Sequence, residues 1–346
     1  MSGFSTGLVV GKFCPLHRGH QYLLDRAQAA CERLVILSYT KPEMPGCEPE
    51  KRERWLRELY PDAVRCVLDD ARLVGECRRR GLPVVTVPHN DAPDDIQRRF
   101  VAWVLRHLLD TAVDAVFTSE TYGEGFAAVL SAEQQATGGP SVAHVMVDQE
   151  RLAVPISGTA IRSDVHGSRT YLAPGVYTDF LSRVAILGGE STGKSTLAVQ
   201  LAARIGTIHA AEYGRELWEA KQGALVKGDL LHIAQTQVAR EETLVLQANR
   251  YLICDTTPLT TALYSGVMFG EVVDELVALS GRAYDHVFLC SPDVPFVQDG
   301  TRRDEAFRLW QHEWYVRELA ERGIAFQVLA GSWEGRLNTA LRSLEL

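Results

Sequence analysis

No stretch of the chain approaches the run of about 18 apolar residues that a membrane-crossing helix requires. The residues ahead of the first motif also lack the basic segment of a signal peptide. Seven cysteines, at positions 14, 31, 47, 66, 77, 254 and 290, are odd in number and include no Cys-x-x-Cys pair, which argues against a disulfide framework or a zinc site. They read as reduced, mostly buried thiols, and the expected location is cytoplasmic, without membrane contact. Basic charge is in deficit: 36 Lys and Arg against 44 Asp and Glu give a net charge of -8, which argues against nucleic acid as the principal partner. Internal repeats and low-complexity tracts are absent as well. What remains is ordinary globular material, 346 residues with 46% hydrophobic and 23% charged content, long enough for two domains that each bury a core.

Two segments stand out as phosphate-handling devices. Gly188-Gly189-Glu190-Ser191-Thr192-Gly193-Lys194-Ser195-Thr196 satisfies G-x-x-x-x-G-K-[ST] in full. Arg183 to Leu187 reads as a buried strand feeding the loop, and Leu197, Leu201 and Ile205 recur at helical spacing after it. Strand, glycine-rich turn and helix are the parts of a P-loop: backbone N–H groups and the helix N-terminus attract phosphate, Lys194 adds charge near the β- and γ-phosphates, and Ser195 is the expected Mg²⁺ ligand. Downstream, Tyr251-Leu252-Ile253-Cys254-Asp255 places an acid at the end of a hydrophobic strand, while Glu212 and Tyr213 follow a short one. Asp255 is a candidate metal ligand, and either Asp255 or Glu212 a candidate base for a substrate hydroxyl. Residues 293–303, with Phe296, Asp299 and Arg302, read as a lid whose arginine can reach a transferring phosphoryl group.

The second segment is Gly11-Lys12-Phe13-Cys14-Pro15-Leu16-His17-Arg18-Gly19-His20 after the first strand, joined far downstream by Pro155-Ile156-Ser157-Gly158-Thr159-Ala160-Ile161-Arg162. A helix N-terminus, two imidazoles and an arginine suit a triphosphate, since adenylyl transfer needs mainly charge neutralisation and in-line positioning.

Strand-like and helical stretches alternate throughout, which predicts parallel sheets with helices on both faces. Strands are expected at 7–13, 33–39, 63–68, 115–119 and 142–147, then near 184 and 208, and at 251–254, 286–290 and 326–329. Helices are expected over 20–33, 96–109 and 195–205, with the longest at 230–249. The fold class is α/β, two doubly wound parallel-sheet domains at 1–170 and 180–346. Ser163 to Ser182, with Gly167, Pro174 and Gly175, reads as a connector.

The first pair of motifs resembles the H-x-G-H and I-S-x-T-x-I-R elements of the nucleotidyltransferase superfamily. That resemblance implies a Rossmann-like first domain in which His17 and His20 contact ATP phosphates, Lys12 and Arg162 assist, and Gly11, Phe13, Gly19, Ile156, Ser157 and Thr159 help bind ATP. With the P-loop form Gly188-Gly189-Glu190-Ser191, Ala211-Glu212-Tyr213, and Val147-Asp148-Gln149-Glu150-Arg151 leading into the Ser157 element, nearly the whole chain resembles the NadR family. The implied activities are phosphorylation of nicotinamide riboside to nicotinamide mononucleotide (NMN) by a C-terminal P-loop kinase, and adenylylation of NMN to NAD and pyrophosphate by the N-terminal domain. Tyr213, Phe296 and Asp299 are then candidate substrate contacts, Phe296 standing where relatives resemble Trp. The implied ligands are ATP, Mg²⁺, nicotinamide riboside, NMN and NAD, with homo-oligomerisation left open. Because the first catalytic strand starts near Gly7, no DNA-binding domain or direct repressor role is expected. Alternatives are a nucleotidyltransferase with another acceptor, loss of catalysis in one half, or an ATP-dependent sensor.

Overall fold

The computed structural model describes residues 3–148, 150, 152–300 and 302–345; Gln149, Arg151 and Thr301, quoted above within motifs, lie outside them. The chain divides into two compact units, Met1–Phe180 and Leu181–Leu346.

The first unit is built on strands β1 (Phe4–Gly11), β2 (Cys31–Tyr39), β3 (Val64–Leu68), β4 (Ala115–Thr118) and β5 (Ala143–Met146). All pair in parallel, in the order β3-β2-β1-β4-β5. Leu34 to Leu37 and Ala115 to Phe117 are buried, as expected of parallel strands covered on both faces. Successive connections leave β1 toward opposite sides, so a crevice opens beyond the carboxyl ends of β1 and β4. The first strand begins earlier and stops sooner than its hydrophobic run suggests. At its start the Asp114 carboxylate accepts the N–H groups of Ser5 and Thr6, each at 2.8 Å. At its end Phe13 adopts a positive φ of 50°, a left-handed conformation that breaks the extended backbone.

The expected connector is partly built into this unit. Leu172, Val176 and Tyr177 are buried, Leu172 bridges to His17, and the Asp179 carboxylate accepts from the Trp55 indole and pairs with Arg54. Its Gly and Pro residues suggested a linker, but the apolar residues between them supply packing. Pro174 opens a short helix, Pro174–Tyr177, where its missing N–H costs nothing.

The second unit contains β6 (Ser182–Gly188), β7 (His209–Ala210), β8 (Tyr251–Asp255), β9 (His286–Cys290) and β10 (Gln327–Leu329). These too are parallel, in the order β10-β9-β6-β8-β7. One sheet face packs on Leu197 and Leu201 of the helix Lys194–Ile205. The other meets Leu259 and Leu263 of the helix Pro258–Phe269, with Tyr315 and Leu319 of the helix Glu305–Glu321. A further cluster around Leu230, Ile233 and Leu276 involves the longest helix, Lys227–Leu244. No helix among the described residues is long and apolar enough to cross a membrane.

Leu172→Ala should lower the stability of the first unit by about 2–5 kcal/mol, the usual cost of truncating a buried leucine. Urea unfolding monitored by circular dichroism checks this; a change below about 0.5 kcal/mol would return the segment to the status of a linker.

Candidate active sites

In the first unit the chain leaves β1 and turns directly into the helix Arg18–Ala30. His17 is its N-cap, and Nδ1 accepts from the N–H groups of Gly19 at 3.1 Å and His20 at 3.3 Å. His20 reciprocates, its Nδ1 accepting from the His17 N–H at 3.4 Å, and the rings stack with centroids 3.7 Å apart. With Nδ1 an acceptor in both, Nε2 is the nitrogen that carries the proton in each neutral ring. Gly19 lets the loop pass close to the His17 ring, from which an added Cβ would lie 3.0 Å. Gly11 serves Phe13 in the same way: a Cβ there would meet the phenyl ring at 2.9 Å. Phe13 is fully buried and abuts His20 edge-on at 5.1 Å.

The distant second element closes on this loop. Ser157 caps the helix Gly158–Ser163 by accepting from the Ala160 N–H at 3.1 Å. Arg162 donates to the Cys14 carbonyl at 2.7 Å and the Thr159 hydroxyl at 3.0 Å. A Cβ on Gly158 would lie 3.8 Å from His17 Nε2. Residues separated by about 140 positions in sequence therefore share a cavity of about 500 Å³ lined by Lys12, His17, His20, Ile156, Ser157, Thr159 and Arg162. Sequence reasoning missed the brace behind it: fully buried Arg52 donates to the Ser38 hydroxyl at 2.9 Å and pairs with Glu43, while Ser38 donates to the Lys12 carbonyl at 3.2 Å.

In the second unit the loop 188–193 wraps the N-terminus of the helix Lys194–Ile205, whose N-cap, Gly193, provides no side-chain acceptor. Gly188 and Gly193 have φ of 147° and 83°. A Cβ on Gly188 would stand 2.9 Å from the Cys290 carbonyl, and one on Gly189 2.8 Å from the Arg308 carbonyl. Thr192 braces the loop internally, its hydroxyl donating to the Gly189 carbonyl at 2.8 Å. Lys194 Nζ donates to the same carbonyl at 2.9 Å. Ser195 and Thr196 are exposed at the start of the helix.

Asp255 closes β8 at 4% exposure, and its Oδ1 makes no hydrogen bond among the described residues. Burial raises its pKa, against the lowering influences of Ser195 and Lys194. Glu212 is also shifted upward, by burial and by Asp255, with Lys194 opposing. An orphaned carboxylate oxygen beside a hydroxyl is an oxygen donor set suited to a hard divalent cation. Glu212 and Lys194 line a second cavity of about 390 Å³, together with Glu190, Ser191, Arg302 and Arg303.

The 293–303 segment reaches the P-loop through particular bonds. Arg302 donates to the Ser191 hydroxyl at 3.2 Å and pairs with Asp299 at 2.9 Å. The Arg303 N–H donates to Glu190 Oε2 at 2.7 Å. The three candidate substrate contacts are placed otherwise. Phe296 packs under the Arg308 guanidinium at 5.4 Å, Tyr213 hydrogen-bonds His232 at 3.2 Å, Asp299 pairs with Arg302 and Arg215, and none of the three lines the cavity. Unanticipated residues do much of the positioning. Fully buried Arg336 donates to the Thr192 carbonyl at 3.0 Å, and Gln311 accepts from the Glu190 N–H at 2.8 Å. Tyr264 donates to Glu190 Oε1 at 2.8 Å. Each sits on a helix where a polar residue reads as solvated, so spacing carried no signal.

Fold and sites together define the class: chains that join a Rossmann-like nucleotidyltransferase fold to a P-loop kinase fold. Residues 183–336 match the AAA domain family. Within the class this chain is homologous to NadR. It is 28% identical over 308 residues to the trifunctional NAD biosynthesis/regulator protein NadR of Escherichia coli strain K12, covering 86% of this chain and 72% of that protein. To the protein of the same name from Salmonella typhimurium it is 28% identical over 356 residues, covering 99% and 82%. The crystal structure of a NadR protein in complex with NAD and AMP-PNP aligns with a TM-score of 0.70 at 21% identity, covering 100% of this chain and 96% of that one. The structure of a NadR protein in complex with NR aligns at 0.69 and 23% identity, with the same coverage. At these identities the likeness speaks to the fold.

The raised pKa of Asp255 fixes the sign of a stability effect. A carboxyl whose folded pKa lies above its unfolded value of about 3.8 weakens folding progressively as pH rises between the two values; the cost is complete above the folded pKa and absent below the unfolded one. Asp255→Asn should therefore raise the melting temperature of the second unit at pH 8, in EDTA without nucleotide, by roughly 2–4 °C for about 1 kcal/mol. The gain should shrink toward pH 4. Calorimetry across that range checks it, and a gain that grows on acidification would contradict the burial argument.

Proposed function

We propose that the chain is a bifunctional enzyme of NAD salvage, in which the second unit phosphorylates nicotinamide riboside with ATP and the first joins the resulting NMN to the adenylyl group of a second ATP. The observation that carries this is the presence, on one chain homologous to NadR, of a His-x-Gly-His cavity closed by Arg162 and a complete P-loop with a buried acid beneath it.

In the first unit an NMN phosphate oxygen attacks the α-phosphorus of ATP as the bond to pyrophosphate breaks. His17 and His20 donate from Nε2 to the α-phosphate and the departing pyrophosphate, and Lys12 and Arg162 neutralise further charge. In the second unit the riboside 5′-hydroxyl attacks the γ-phosphorus and ADP departs. Glu212, facing the cavity, takes the hydroxyl proton; Asp255, buried and outside the lining, would hold the metal with Ser195. When bound, Mg²⁺ would supply neutralisation of the charge on the β- and γ-phosphates. The P-loop amides and Lys194 hold the same phosphates, and Arg302 moves from Ser191 and Asp299 to the transferring group. Burial displaces the Glu212 pKa upward, which makes it a stronger base than an ordinary glutamate.

Incubation with nicotinamide riboside, ATP and Mg²⁺ should yield NAD, ADP and pyrophosphate together. NMN and ADP alone would remove the first unit's assignment, and the absence of any acceptor-dependent product would remove both. Lys194→Ala should cut riboside phosphorylation by about 100-fold or more while NMN adenylylation persists, and His20→Ala should do the reverse. Kinase turnover should fall as pH drops through a pKa above the ordinary glutamate value of 4.5, because protonation removes the base. In Glu212→Gln the residual turnover should lose that acidic limb.

A further inference from the structure

The second unit's cavity is lined both by the phosphate machinery and by apolar side chains. Glu190, Ser191 and Lys194 belong to the first group. Leu225, Leu230, Ile233 and Met268, all uncharged, share the lining with a single indole, Trp218. Trp218 belongs to the helix Tyr213–Ala220, on the same face as Gly214 and Arg215, which also line the cavity. One helical turn, about 5–6 Å of rise, separates Gly214 from Trp218. Glu212 is the N-cap of that helix. Gly214 keeps the surface between them low, since a Cβ there would lie 3.9 Å from Glu212 Oε1 and 3.3 Å from Ile233.

The indole is held in place. The turn after the helix brings the Gly223 N–H to the Trp218 carbonyl at 2.9 Å, with Gly223 at a φ of 83°. A Cβ on Gly223 would lie 3.0 Å from Trp218 Cζ2, so glycine lets the turn close on the ring's edge. Other aromatic candidates are engaged elsewhere. Phe296 lies under Arg308, outside the lining. Tyr264 lines the cavity beside the P-loop, its hydroxyl donating to Glu190 and accepting from Gln311 at 3.1 Å.

Resting on the proposed phosphotransferase reading, we infer that Trp218 is the acceptor-specificity residue of this site, stacking its indole on the cationic pyridinium ring of the riboside while Glu212, at the N-terminus of the same helix and about 9 Å of rise away, meets the 5′-hydroxyl. A pyridinium carries positive charge, tryptophan is the strongest cation–π partner, and apolar walls strengthen that attraction by excluding water. Arg215, the basic residue on the same helix face, lies near Glu212 and Asp299, at 4.0 Å and 3.7 Å, which turns its charge toward carboxylates.

The test compares nicotinamide riboside with benzamide riboside, its neutral isostere, in the full-length protein and in Trp218→Ala and Trp218→Phe. Expected is a rise of about 10-fold or more in KM for nicotinamide riboside in Trp218→Ala, with KM for ATP unchanged and kcat within about 3-fold. Trp218→Phe should recover most of the loss, and the preference for the cationic over the neutral riboside should shrink in Trp218→Ala. Riboside addition should quench tryptophan fluorescence in the native protein and much less in Trp218→Phe. An unchanged KM in Trp218→Ala, or an equal rise for both ribosides, overturns the inference while leaving the kinase assignment standing. Failure of the native protein to phosphorylate nicotinamide riboside overturns the assignment and the inference together.

Discussion

A helix that begins at the carboxyl end of a central parallel strand presents peptide N–H groups that no residue of its own first turn can accept. Both units are organised around that deficit. In the first, His17 covers part of it by accepting two of the amides with Nδ1, which also fixes which nitrogen carries its proton. In the second, Gly193 offers no side-chain acceptor at all, so the first turn is shaped to receive an anion. A conventional Ser or Asp cap would stabilise such a helix by about 1 kcal/mol and occupy the position needed by phosphate.

Glycine placement follows from the same geometry, though for different local reasons. Gly188 and Gly189 allow the P-loop to approach the Cys290 and Arg308 carbonyls, whereas Gly11 and Gly19 make space for the Phe13 and His17 rings. The glycines of the first motif therefore shape the histidine platform. Behind each loop stands a buried arginine, Arg52 in one unit and Arg336 in the other, connected to the loop through hydroxyl or carbonyl oxygens. Each guanidinium is paired with a carboxylate, Arg52 with Glu43 and Arg336 with Asp293, as a buried charge must be.

The second unit also keeps charge where it does not favour folding. Asp255 and Glu212 both have burial as the main upward influence on their pKa values, and the hydrogen bonds and charges around them do not offset it. Function can retain such a cost when the rest of the fold supplies stability. Here the two sheet-face clusters around Ile186, Leu201, Leu289 and Tyr315 do so.

The architecture and the centres of both sites were legible in the sequence because their signals are local. A parallel strand buried on both faces must be almost wholly apolar, as Val184 to Leu187 and Tyr251 to Cys254 are, and a phosphate loop needs glycine at fixed offsets from lysine. The segment 163–182 was misread because Gly and Pro report local backbone freedom, whereas the burial of Leu172, Val176 and Tyr177 depends on partners remote in sequence. Arg52, Gln311, Arg336 and Trp218 were invisible for a related reason. A long polar or amphipathic side chain on a helix has the same local pattern whether it faces water or a site, and only the tertiary arrangement supplies the carbonyl, carboxylate or cavity that gives it a role.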